Sequence, residues 1–287
     1  MKALTCEMCG STNLIKDDGV FVCQSCGTKY SIEEAKKMMV EGTVDVKGTV
    51  KVDTSDELKN LYEVARRAKE SGNSENAAKY YEMILVKNPS SWEANFYTVF
   101  FQSKACKLGE IYTATTNLTN ILETVLDLIK QNVTDSESQK KAVMEVWDST
   151  TDIAGLFYNA IVNQYNKYID VNGQAGSSSN TAIVIIEMSY KLGDLMVEKF
   201  GKVTYIKEII DAWRQGVDYT IASSKMFLAA NPQLRSLMNK TAKGYTEKMQ
   251  DLDPNVNIPK VPSGCMFLLL IVFSPLLAYL TYIFLGV

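Results

Sequence analysis

The sequence predicts a mainly α-helical chain with a small β unit at its N-terminus and a single apolar helix at its C-terminus. Three observations predict this. Two C-x-x-C pairs, Cys6/Cys9 and Cys23/Cys26, lie close to the N-terminus. Apolar side chains recur at helical spacing from about residue 54 to residue 250. Residues 261–287 contain no acidic or basic side chain. The 287 residues include 30 basic and 33 acidic side chains, a net charge of −3, and no histidine. The lack of histidine excludes Ser-His-Asp and Cys-His catalysis and every His-ligated metal site within this chain.

Residues 1–42 form the first predicted unit. Thirteen residues separate Cys9 from Cys23, and each pair encloses two residues. Two such pairs can bend around one ion and supply four thiolates to a tetrahedral zinc site. A glycine follows each pair, Gly10 and Gly27, where backbone must curl close to sulfur. Residues 13–16 and 20–23 read as strands joined by Asp17-Asp18-Gly19, a turn sequence. Ser31 and Glu34 then form a capping box for a short helix closed by Gly42. The expected cofactor is therefore one structural Zn2+ on Cys6, Cys9, Cys23 and Cys26, with no position left for substrate.

The stretches L-T-C-E-M-C-G and G-V-F-V-C-Q-S-C-G-T-K-Y resemble the transcription-factor-IIB-type zinc ribbons at the N-termini of many bacterial proteins. Ribbons of that class often touch nucleic acid or polymerase, so the resemblance offers a transcription-machinery contact as an alternative function. Charge argues the other way. Residues 1–42 carry five lysines and six acids, and four thiolates around Zn2+ add two further negative charges. Phosphate binding needs several cations on one face, so no nucleic-acid partner is expected.

Residues 43–53 complete the repeat GTVDVK-GTVKVD, in which valines alternate with polar residues. The pattern suits either a small hairpin or an extended spacer. From 54 to 250 the chain is predicted helical, with capping boxes at Thr54/Glu57 and Ser90/Glu93. Ile111, Thr115, Leu118, Leu122, Val125 and Ile129 mark one apolar face. Val143, Trp147, Thr150, Ala154, Phe157, Ile161, Tyr165 and Tyr168 mark another. Residues 171–180, VNGQAGSSSN, read as a loop, and 181–200 as a buried helix. Further faces carry Ile206, Ile210, Trp213 and Val217, then Leu234, Met238, Ala242, Tyr245 and Met249. Cys106 is expected inside a helix as a small buried hydrophobe.

Residues 58–91 resemble a tetratricopeptide repeat. Leu61, Ala65 and Ala68 stand at first-helix packing positions and Gly72 in the turn. Ala77, Tyr80, Tyr81 and Ile84 stand in the second helix, and Pro89 ends the unit. One repeat cannot bury its own apolar face, so the following helices must cover it. The resemblance implies protein–protein interaction.

Pro254, Pro259 and Pro262 make residues 251–264 a linker. Residues 265–287 form an uncharged run of 23 residues, about 34 Å as a helix, against a hydrocarbon core of about 30 Å. Lys240, Lys243, Lys248 and Lys260 lie on its N-terminal side, and the chain's start has no apolar stretch of a signal peptide. A single-pass membrane protein with its N-terminal bulk in the cytoplasm is expected. No P-loop, G-x-G-x-x-G or G-x-S-x-G occurs, so no catalytic residue is assigned and no enzymatic activity is expected. The whole arrangement resembles uncharacterised bacterial proteins with an N-terminal zinc ribbon, a tetratricopeptide-like helical domain and a C-terminal transmembrane helix. It implies an adaptor acting on an unidentified protein partner at the cytosolic face of a membrane.

Overall fold

The computed structural model describes residues 6–17, 19–32, 34–35, 55–167 and 174–262. The expected hairpin or spacer at 43–53, the cap at Thr54, and the membrane helix at 265–287 lie outside the described residues. Among the described residues, no helix is long and apolar enough to cross a membrane. The chain divides into two units, Met1–Thr54 and Ser55–Val287.

The first unit is a three-stranded antiparallel sheet in the order β1 (Leu14–Asp17), β2 (Val20–Cys23) and β3 (Lys29–Tyr30). Asp17 pairs with Val20, leaving a two-residue connection in which Gly19 takes φ +83°. A side chain rarely adopts that angle, so glycine at this point sets the hairpin. The register pairs Leu14 with Cys23 and Phe21 with Tyr30. Leu14 and Phe21 pack on the small cluster of Cys6, Cys23 and Tyr30. The predicted capping box forms: the Ser31 amide donates to Glu34 Oε2 at 2.8 Å, and the Glu34 amide donates to Ser31 Oγ at 3.2 Å.

The second unit contains eight described α-helices. They are α1 (Ser55–Glu70), α2 (Ser74–Lys87), α3 (Trp92–Lys104), α4 (Ile111–Asn132), α5 (Ser136–Lys167), α6 (Gln174–Phe200), α7 (Ile206–Lys225) and α8 (Pro232–Leu252). The predicted faces fall on α4, α5, α7 and α8, except that Tyr168 lies outside the described residues. All six residues of the 111–129 stripe are buried along α4. The α1–α2 turn closes as a left-handed glycine cap: Gly72 sits at φ +72° and the Asn73 amide donates to the Ala68 carbonyl. Asn73 then caps α2 by accepting from the Asn76 amide at 3.2 Å. Ala77, Tyr81 and Ile84 of α2 are buried, whereas Tyr80 is half-buried.

Three expectations need correction. The cap of α3 is Ser91, which accepts from the Ala94 amide at 3.1 Å, and not Ser90. Glu93 is thereby freed from the cap and turned into the core. Residues 174–180, expected as loop, begin α6. Their polar composition is satisfied by tertiary contacts: Ser178 and Ser179 are buried, and Ser179 Oγ donates to the Phe227 carbonyl at 2.7 Å. Packing here overrides local propensity. Cys106 lies in the connection after α3, half-buried, where burial and then Glu110 raise its thiol above the usual range.

Polar side chains link the odd-numbered helices to one another. Tyr62 of α1 donates to Ser91 at 2.6 Å, and Arg66 of α1 forks onto Glu93 of α3. Tyr97 of α3 and Lys69 of α1 both reach Glu145 of α5. Trp147 of α5 donates to the Glu208 carbonyl of α7 at 2.9 Å. Three of the even-numbered helices, α4, α6 and α8, are joined likewise. Lys199 of α6 meets Asp127 of α4 at 3.0 Å, and Tyr190 of α6 stacks on Tyr245 of α8 at 3.8 Å. After α8 the chain leaves helical conformation, and Val256, Ile258 and Val261 pack back on the same core.

Candidate metal centre

The two cysteine pairs form two copies of one backbone device. The Gly10 amide donates to the Cys6 carbonyl at 2.7 Å, and the Gly27 amide donates to the Cys23 carbonyl at 2.8 Å. The Cys6 amide donates to the Ser11 carbonyl at 2.8 Å, and the Cys23 amide to the Thr28 carbonyl at 2.9 Å. Both glycines stand at positive φ, +71° and +76°, so each C-x-x-C-G loop needs its glycine to close. The loops present backbone amides to sulfur in the same way. Those of Met8 and Cys9 face Cys6, and those of Ser25 and Cys26 face Cys23. Ser11 Oγ and Ser25 Oγ, 2.8 Å apart, tie one loop to the other.

This arrangement brings all four predicted thiols together, each sulfur within 4.8 Å of the others. Cys6 and Cys26 are 3.6 Å apart at sulfur, as are Cys9 and Cys23. A metal–thiolate tetrahedron with bonds of about 2.3 Å has edges of about 3.8 Å, so the cluster is the size of a coordination shell. A disulfide needs about 2.05 Å, and all four cysteines are free. Four soft sulfur donors suit zinc or iron-type ions rather than calcium or magnesium. A full set of four protein ligands leaves no position for water or substrate.

Cys6 and Cys23 are buried, whereas Cys9 and Cys26 face solvent. Tyr30 completes the inner side. Its hydroxyl lies 3.1 Å from Cys6 Sγ and accepts from the Glu7 amide at 3.1 Å. That phenol, foremost among several donors, holds the Cys6 thiol down to about 6. Thr28 Oγ1 lies 3.1 Å from Cys26 Sγ. Cys9 moves the other way, to about 12. The Ser11 amide lowers it, but the neighbouring Cys26, Cys23 and Cys6 thiols and burial outweigh that pull. Four crowded thiols cannot all ionise without a cation among them, and binding a divalent ion releases the remaining protons.

Tyr30 was not predicted as part of the site. Its signal is its place in G-T-K-Y after the second pair, which puts it on β3 beside β2 and opposite Phe21. Glu93 and Arg66 were also missed as a pair, because nothing local joins residues 27 apart. The chain matches no family model, no curated protein and no solved structure.

Proposed function

We propose that this chain is a non-enzymatic adaptor, anchored in a membrane by residues 265–287, that engages protein partners through its helical unit. One structural Zn2+ on Cys6, Cys9, Cys23 and Cys26 holds the N-terminal ribbon. The carrying observation is the way the odd-numbered helices are joined. α1, α3, α5 and α7 stand linked through polar side chains, as first helices of successive hairpins do in a tetratricopeptide-like array. Such a row presents one continuous surface to a partner. The ribbon contributes protein contact rather than nucleic-acid contact. Met8 and Ile15 are exposed on it, at 76% and 48%, and its charge is acidic overall. The uncharged run at 265–287 and the lysines before it support cytosolic placement of the bulk.

Proximity labelling around the intact protein in its native membrane tests this reading. A recurrent set of labelled proteins, lost when residues 261–287 are removed, is the expected result. Labelling no different from background, or full release of the protein by an alkaline carbonate wash, would overturn it.

A further inference from the structure

A cavity of about 600 Å³ opens where α1, α3 and α5 meet. Its wall carries three cations, Arg66, Lys69 and Lys141, and three carboxylates, Glu70, Glu93 and Glu145. The equal count conceals an unequal supply of hydrogen-bonding groups. Glu93 is 5% exposed and already takes Arg66 Nε, Arg66 Nη2 and the Tyr81 hydroxyl, the last at 2.7 Å. Oε1 of Glu145 takes both Lys69 and the Tyr97 hydroxyl. The two carboxylates thus act as footings, Glu93 buried and Glu145 with 28% of its side chain exposed. Each is fixed from the core side by a tyrosine and holds a cation on the cavity side. The Arg66 side chain remains 54% exposed although its partner is 7% exposed.

The unspent groups are therefore mainly donors. Arg66 Nη1 has no partner among the described residues, Lys69 keeps two of its three protons, and exposed Lys141 enters no ion pair there. Among the described residues, the acceptors left over on the wall are both oxygens of Glu70 and Oε2 of Glu145. Ion pairs with this much of their cations in water contribute little stability. They are a good way to hold a guanidinium and an ammonium at fixed points facing an opening.

We infer that this cavity docks an acidic segment of a protein partner, its carboxylate side chains bridging Arg66, Lys69 and Lys141. The inference rests on the adaptor reading and names the chemistry of its partner. Glu70 marks the position where the segment carries no carboxylate.

The test uses the full chain in mild detergent and two fluorescein-labelled octapeptides, one alternating Glu and Ala, the other Lys and Ala. Anisotropy should rise and saturate with the acidic peptide, at least about tenfold more tightly than with the basic one, and weaken as salt is raised. Lys141→Glu, an exposed change outside both ion pairs, should weaken acidic-peptide binding about tenfold with an unchanged melting curve. Lys141→Arg should retain it. Equal affinity for the two peptides, no saturation, or full affinity in Lys141→Glu would overturn the assignment. Crosslinks from a membrane partner that map only to helix faces away from this cavity would also overturn it, while leaving the adaptor reading standing.

Discussion

The two units of this chain bury very different interiors. In the N-terminal ribbon the cluster consists of Cys6, Cys23 and Tyr30, with Leu14 and Phe21 against it. Two of its three central residues are proposed metal ligands. In the helical unit, Tyr81, Phe96, Leu118, Leu122, Ile129, Ile185 and Met188 are all essentially inaccessible and belong to one continuous core. Burial there is worth roughly 1.5–3 kcal/mol for each large apolar side chain. A sheet of ten residues with so few apolar contacts cannot draw on that source, and small domains of this size ordinarily need a metal or crosslink. The ribbon is organised around ligand geometry, and the helical unit around area and interlocking shape.

Metal removal gives the largest contrast. Chelation, or Cys23→Ser, should unfold residues 6–35, because binding energy for a structural zinc site is about 10–16 kcal/mol and is folding energy. The helical unit should keep its melting transition, followed by circular dichroism at 222 nm. Loss of both units together would show that the two interiors are not independent.

The next effect lies in the helical unit and is polar. Glu93→Ala removes the partner of Arg66 and of the buried Tyr81 hydroxyl, whose ionisation is already pushed far up by burial and then by Glu93. Leaving the buried Tyr81 hydroxyl without its acceptor, together with the void left by Glu93, costs about 3 kcal/mol, while the half-exposed Arg66 returns to water. Replacing the ion pair by Arg66→Met with Glu93→Leu should recover much of that loss in thermal melts. If Glu93→Ala melts as the parent does, the buried-footing account of this network fails.

Apolar truncation comes next. Ile84→Ala should destabilise by about 2–5 kcal/mol because Ile84 is fully buried. Tyr80→Ala should cost less, since its ring is only half-buried. Denaturant melts that rank Tyr80 above Ile84 would mean the α2 face is misassigned.

The smallest effect concerns two helical glycines. A Cβ on Gly193 would lie 2.5 Å from Trp213 Nε1, and one on Gly216 would lie 2.5 Å from Tyr190 Cε1. Alanine normally favours a helix, yet here each should cost about 1–3 kcal/mol through overpacking against a rigid ring. Gly109→Ala, with nothing within 4 Å, should be near neutral. Stabilisation by Gly193→Ala would show that Trp213 has room to move.

What could be read from sequence follows the range of the interaction. The cysteine spacing placed four thiols in one cluster, since two local loops do most of the positioning. The stripe from Ile111 to Ile129 was legible because helical spacing is a local signal. The start of α6 was not, because Ser179 finds its partner on Phe227, 48 residues away. The cap of α3 was misplaced by one residue, since Ser90 and Ser91 are equivalent locally and differ only in what Glu93 meets. Arg66–Glu93 and Lys69–Glu145 had no local signature, so the cavity they frame was invisible at that level.

The central claim is that the ribbon exists as a fold because four thiolates share one ion. Elemental analysis of the purified full-length protein after exhaustive dialysis, with free thiols counted in parallel, tests it most directly. The account predicts one zinc per chain, retained through dialysis and lost in Cys6→Ser. Less than half an equivalent of metal, or recovery of Cys6, Cys9, Cys23 and Cys26 as disulfides, would contradict it.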